Sequence, residues 1–332
     1  MSAPTLESPP DSPVEKARKA GLSISRLLVG FGVAAAVVVI AVMNRDAVAT
    51  GAESLIHSDR EWLVAALVAS LFLLVVGTIT QLGSMPVTPP AARVFAVQVA
   101  ASFANHLLPA GAGGIAVNLR FLRRHGLSKA MAVGSIGLNS LAGLITHLLL
   151  LVVALAAVPS AVVKFESFSR HLNPVSIGAI AAVTCALVAV LAWTGVKRGW
   201  WRTLRSRLAR DFAPLGAVLR HPIRAAALWL GSATVPVIHG VILFALLRGL
   251  GVLVAAVSVV AVYVVVSSLC AVVPSPGGIG GLDVALVAAL PAIGVPSSAA
   301  LAAVLGYRLL TVWLPFAPGA AVLAFLAHRK VI

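Results

Sequence analysis

Leu107-Leu108-Pro109-Ala110-Gly111-Ala112-Gly113-Gly114 breaks one long apolar run, and Val272-Val273-Pro274-Ser275-Pro276-Gly277-Gly278-Ile279-Gly280-Gly281 breaks another. Pro109 and Pro274 lie 165 positions apart in a chain of 332, so the two breaks occupy matching places in two halves. An interrupted helix in a bilayer leaves backbone N–H and C=O groups that need partners, so the break must pack in protein or line a polar cavity. Paired breaks at corresponding positions point to the substrate site of a transporter built from repeats.

Composition sets the surroundings. Sixty per cent of the residues are apolar, 11% are charged, and the mean hydropathy is +1.04. A soluble domain of this length cannot hide that much apolar surface, so the chain reads as an all-α integral membrane protein. About 6–8 transmembrane helices are expected, with two re-entrant segments in a two-half internal repeat. The net charge of +15 fits cytoplasmic loops facing anionic lipid rather than nucleic acid. Cys185 and Cys270 sit inside apolar runs and read as packing residues. There is no zinc-ligand spacing, Walker loop, nucleophile elbow or HExxH. No enzymatic constellation, metal or other cofactor is expected.

Residues 1–25 read as a disordered cytoplasmic tail, and 26–328 as one transmembrane domain with halves 26–166 and 167–328. Leu27–Met43 is read as an uncleaved first span rather than a signal peptide ending near Ala47-Val48-Ala49, because it exceeds a usual signal core. Its basic flank puts the N-terminus in the cytoplasm. Trp62–Met85 returns. Val94–Leu108 and Ile115–Arg124 form a re-entrant hairpin, because Arg93 flanks one end and Arg120, Arg123, Arg124 and Lys129 the other. Met131–Val158 and Val175–Val196 cross. The loop 197–224, with eight Lys or Arg and one acid, is cytoplasmic. Ala225–Leu247 crosses outward and Val252–Val273 enters. Val284–Ile293 is short, and Ser297–Ala327 spans with a bend near Pro315 or Pro318. A second re-entrant segment entering from outside makes the halves inverted copies and leaves the C-terminus inside.

Between Gly249 and Ala327 there are two formal charges in 79 residues, Asp283 and Arg308. A charge at the centre of a spanning helix costs roughly 2.5–3.5 kcal/mol on insertion scales, so such residues pair or face water. Asp283 reads as an acid on a helix N-terminus, as the buried partner of Arg308, or as a proton-linked site. Arg308, beside Tyr307, reads as a snorkelling side chain or a fork for a lipid phosphate. Asn105, His106 and Asn118 can satisfy backbone groups freed by Pro109 or bind a ligand. Arg120, Arg123 and Arg124 share a helix face as an anchor or a basic gate. Asn139 and His147, two turns apart, are candidates for one cavity, and His239 reads as a packing residue. Gly113-Gly114 and Gly277-Gly278 permit positive φ and close approach to a ligand. The helices after them aim N-termini suited to an anion.

Pro274-Ser275-Pro276-Gly277-Gly278-Ile279-Gly280 with Asp283, Gly294-Val295-Pro296, and Tyr307-Arg308-Leu309-Leu310-Thr311-Val312-Trp313-Leu314-Pro315 resemble the lysylphosphatidylglycerol synthase transmembrane-region family. Asn105-His106-Leu107-Leu108-Pro109 through Gly113-Gly114 and Arg120 resemble its first-half motif. The family includes the flippase half of the multiple peptide resistance factor, and other members are linked to lipid-linked sugar pathways. Many members carry an acid followed by Arg where this chain reads Leu138-Asn139-Ser140, and usually Glu where it has Asp283. The resemblance implies a non-enzymatic translocase of the bacterial plasma membrane, handling an aminoacyl-phosphatidylglycerol or a lipid-linked sugar. Its partners would be membrane lipids. The rival is a non-transporting partner of a glycosyltransferase or other lipid-modifying enzyme, docking through 197–224.

Overall fold

A computed structural model describes residues 53, 56, 58–107, 111–157, 215–216, 218–270, 281–329 and 331–332, all within the unit Ala49–Ile332. The tail 1–25, the spans Leu27–Met43 and Val175–Val196, most of the basic loop, Pro109, Pro274, Gly277 and Gly278 lie outside the described residues.

The described residues contain helices and no strand. They are α1 (Arg60–Ser84), α2 (Ala91–Leu107), α3 (Ala112–Arg124), α4 (Lys129–Ala157), α5 (Pro222–Gly249), α6 (Ala256–Cys270), α7 (Gly281–Ala289), α8 (Ser297–Arg308) and α9 (Leu314–His328). A 3₁₀ turn, Leu290–Ile293, extends α7, and a π turn, Leu309–Trp313, joins α8 to α9. Helices α1, α4, α5 and the continuous Ser297–His328 are long and apolar enough to cross a membrane. At 1.5 Å per residue each exceeds a hydrocarbon core of about 30 Å. The apolar helices Ala256–Cys270 and Gly281–Ile293 are shorter. The chain is an all-α, multi-pass membrane protein.

Local chemistry sets the boundaries. Asp59 caps α1 by accepting the Glu61 N–H at 2.9 Å, and its own N–H donates to the Gly249 carbonyl at 2.9 Å. That contact ties the start of α1 to the end of α5. At their other ends Arg224 Nη1 donates to the Met85 carbonyl at 2.7 Å. Between these ties α1 and α5 pack closely: a Cβ at Gly83 would meet the Leu228 backbone, and one at Gly231 would meet Thr80. Small residues let helix backbones approach where burial from water supplies no driving force.

Helices α2 and α3 form an antiparallel hairpin, since Gly113 packs on Ala104, Gly114 on Asn105, and Asn118 bonds Gln98. Both open ends reach one basic end of the protein, where Arg93, Arg124 and Arg329 line a cavity of about 650 Å³. Helices α6 and α7 pack together as well, but their open ends reach the opposite end. There Leu290 and Val295 share a core with Leu247 and Val259, against Trp62. The packing repeats with inverted sense: α2 lies against α9, and α6 against α4.

The π turn has a local cause. Pro315 has no N–H for the Thr311 carbonyl, and its ring crowds that carbonyl. Where a bend is expected near Pro315 or Pro318, the span changes helix type before Pro315 and continues unbroken through Pro318. The first break is narrower than the sequence suggests. Gly113 and Gly114 lie inside α3 in helical backbone, and the left-handed residue is Gly111, at φ 71°.

Candidate functional site

Polar side chains from α1 to α4 converge on a cavity of about 380 Å³, which α5 and the π turn complete. Its wall contains five carboxamides, Gln81, Gln98, Asn105, Asn118 and Asn139. Asn139 Nδ2 donates to Gln81 Oε1 at 2.9 Å, linking α4 to α1. Gln98 Nε2 donates to Asn118 Oδ1 at 3.3 Å, and Asn118 Nδ2 to the Gly114 carbonyl at 2.9 Å. The Gly114 N–H donates to Asn105 Oδ1 at 2.7 Å. Asn105 thus supplies an acceptor within the hairpin for one of the N–H groups at the start of α3.

Ser70 and Thr311 join the same wall. A π turn displaces carbonyls from their regular partners, and Ser70 Oγ of α1 donates to the Leu310 carbonyl at 2.9 Å. The turn thereby fixes α1 against the last span and sets Thr311 at the cavity.

A second cluster adjoins this wall at His239. Tyr307 Oη lies 2.8 Å from His239 Nδ1 and donates to Tyr263 Oη at 3.2 Å. The rings of His239 and Tyr263 stack with centroids 5.4 Å apart. The cluster joins α5, α6 and α8. One residue further on, Arg308 Nη2 pairs with Asp283 Oδ2, tying α8 to α7. The two side chains are 13% and 22% exposed, so the pair is mostly shielded. Asp283 is also the third residue of α7, close to its N-terminus.

Of the residues singled out from the sequence, Asn105, Gly114, Asn118, Asn139 and His239 line the amide-walled cavity. Tyr307, Arg308 and Asp283 form the adjoining cluster. His106 donates from Nδ1 to the Ser102 carbonyl of its own helix at 2.7 Å, and its ring meets Phe316. Gly113 packs on α2. Arg120 is exposed on α3. Gly277 and Gly278 lie outside the described residues. His147 does not share the cavity of Asn139; its Nε2 lies 3.3 Å from Ser267 Oγ on α6. Sequence reasoning passed over Gln81, Gln98 and Tyr263. Gln81, a carboxamide inside an otherwise apolar span, carried the signal, because an unpaired amide in hydrocarbon is costly.

No curated protein matches the chain. The family described as lysylphosphatidylglycerol synthase TM region matches residues 27–319, most of the sequence, including both breaks and every residue that lines the cavity. It is a membrane-region family associated with lipid handling. The chain therefore belongs to the lysylphosphatidylglycerol synthase transmembrane-region family.

Proposed function

We propose that this protein is a non-enzymatic lipid translocase. It would move the head group of an anionic or phosphate-containing lipid, of the aminoacyl-phosphatidylglycerol or lipid-linked sugar class, between leaflets. The observation that carries the reading is the amide-walled cavity beside one of two oppositely opening hairpins. Polar groups at membrane depth persist where they pair or face a cavity. Five carboxamides from four helices on one cavity supply a path for a head group while the acyl chains stay in lipid. Inverted repeats supply the alternation, since an exchange of conformations between the halves closes one side as it opens the other.

In this reading the Arg308–Asp283 pair is the latch. A lipid phosphate competes with the Asp283 carboxylate for the guanidinium fork, loosening α7 from α8 as the head group passes. The expected setting is the bacterial plasma membrane, with the N-terminus and the basic end in the cytoplasm. The test is a dithionite-quenching assay with tail-labelled lipids in proteoliposomes. Wild-type protein is expected to equilibrate label between leaflets faster than protein-free vesicles. Arg308→Ala should slow it about tenfold, the equivalent of one charge-assisted contact of about 1.4 kcal/mol. Equal rates in wild type and Arg308→Ala would remove the latch. Absence of flipping for every phospholipid and lipid-linked sugar would end the translocase reading.

A further inference from the structure

We propose that the cavity at the open end of α2–α3 is a lipid-phosphate site. Its ligand is a lipid with about two negative charges on phosphate, a phosphomonoester or a diphosphate. Such a head group is preferred there over a monoanionic phosphodiester and over an aminoacylated one.

The wall has two kinds of surface. Arg93 of α2, Arg124 of α3 and Arg329 at the end of α9 line a space of about 650 Å³, and the rest of its lining is apolar, with Ala96, Phe325 and Leu326 among it. All three arginines are exposed. Arg329 lies over the Phe325 ring, 5.4 Å from guanidinium carbon to ring centroid, so one cation is held where the charged and apolar surfaces join. A phosphate attached to a hydrocarbon chain matches both surfaces. Its oxygens suit the planar guanidinium fork, and its chain can lie on the apolar side. Basic pockets between helices at a membrane face are recognised head-group sites.

Helix electrostatics accounts for two of the arginines and not for the third. Arg124 closes α3 and Arg329 caps the end of α9, where the negative end of a helix favours a cation. Arg93 is the third residue of α2, at the positive end, where a cation is disfavoured. An anion among the three reverses that penalty. Among the described residues no side-chain carboxylate lines the cavity. Asp59 and Glu61 open α1 at the opposite end, and Asp283 pairs with Arg308. A main-chain carboxylate at Ile332, adjoining Val331 of the wall, would meet one of the three charges.

Charge sets the preference. A phosphomonoester carries about −1.5 to −2 at neutral pH, closer to three guanidinium groups than a phosphodiester with a single charge. An aminoacyl head group adds an ammonium that the guanidinium groups repel. A guanidinium has five N–H donors, so Arg124, which has an interaction of its own, can still reach a phosphate oxygen. A phosphate docked here is the group that the Arg308 fork would take up at depth. That succession rests on the translocase reading above; binding at this cavity does not.

The experiment uses the full chain in detergent micelles and follows the fluorescence anisotropy of tail-labelled phosphatidic acid. Unlabelled phosphatidic acid should displace it at about tenfold lower concentration than phosphatidylglycerol, the equivalent of one charge-assisted contact. Lysyl-phosphatidylglycerol should be weaker still. Arg93→Gln and Arg329→Gln should each weaken phosphatidic acid about tenfold. Lys129→Gln, five positions past Arg124 and outside the wall, should leave it unchanged. Unfolding midpoints of the unliganded variants should match wild type, which separates a lost contact from a damaged fold. Phosphatidylglycerol displacing the label as well as phosphatidic acid does overturns the charge selection. Unchanged affinity in both arginine variants overturns the site. Soluble pyrophosphate displacing the label at the same concentration as phosphatidic acid supports the phosphate chemistry and overturns the lipid source. If the ranking holds while the proteoliposome assay shows no flipping, translocation falls and the site stands; flipping without the ranking does the reverse.

Discussion

Arg308 and Asp283 are formal charges in a long apolar stretch, and they meet. Coulomb attraction between them offsets part of the cost of removing each from water, and it is lost when either is removed alone. Arg308→Ala and Asp283→Ala should each lower stability by about 2–3 kcal/mol. The double variant should be more stable than either single one, read by chemical unfolding in detergent micelles. Additive losses would show that the pair is not coupled. Tyr307 tests a neutral neighbour. Its hydroxyl reaches both His239 and Tyr263, and interhelical hydrogen bonds in membranes average about 0.6 kcal/mol. Tyr307→Phe should therefore cost about 1 kcal/mol in the same assay, less than either charge deletion.

The hairpin α2–α3 and the π turn are the elements that shape the cavity. At Gly113 a Cβ would run into the carbonyl of Ala104, a backbone atom that cannot rotate aside. Gly113→Ala should force the two helices apart at a cost of about 1–3 kcal/mol. The loosening is expected as faster labelling of an Ala104→Cys reporter in the Gly113→Ala background. The π turn permits the opposite test. Pro315→Ala restores an N–H opposite the Thr311 carbonyl and removes the ring that crowds it. The span should relax toward regular α-helix, keep or gain stability, and turn Thr311 away from the cavity. Flipping should then fall while the unfolding midpoint does not. A fall in both would mean that Pro315 acts only through packing.

For the molecule as a whole, inversion makes a prediction about sidedness. The open ends of α2–α3 and residue Arg329 lie at one end, and the open ends of α6–α7 at the other. In a background with Cys185 and Cys270 replaced by Ser, Arg93→Cys and Arg329→Cys should react with a membrane-impermeant maleimide from the same side. Ile293→Cys should react from the opposite side only. Labelling of Arg93→Cys and Ile293→Cys from one common side would refute the inverted arrangement. Among the described residues each short pair of helices packs against a long helix from the other half of the chain, α2 against α9 and α6 against α4.

Reading the residues in order was enough to establish a helical membrane protein, the hairpin at the first Pro/Gly break, the long last span, and the isolation of Asp283 and Arg308. Those features are local, because hydropathy over some twenty residues, a missing proline N–H and the cost of a lone charge need no knowledge of neighbours. The Asp283–Arg308 pair was one of the readings the sequence offered, but which other polar groups meet was not legible. Gln81 and Asn139 are 58 positions apart and Tyr307 and His239 are 68 apart, and nothing along the chain marks them as partners. Gly113 and Gly114 show the same limit, since composition permits them either a turn or a close helix contact, and only the Ala104 and Asn105 surfaces opposite them select the contact. The choice of that pairing over the other readings of Asp283, the amide-walled cavity and the unmet Gln81 donor arise when helices distant along the chain pack, because in lipid a polar side chain is satisfied by whatever neighbouring helix the fold brings to it.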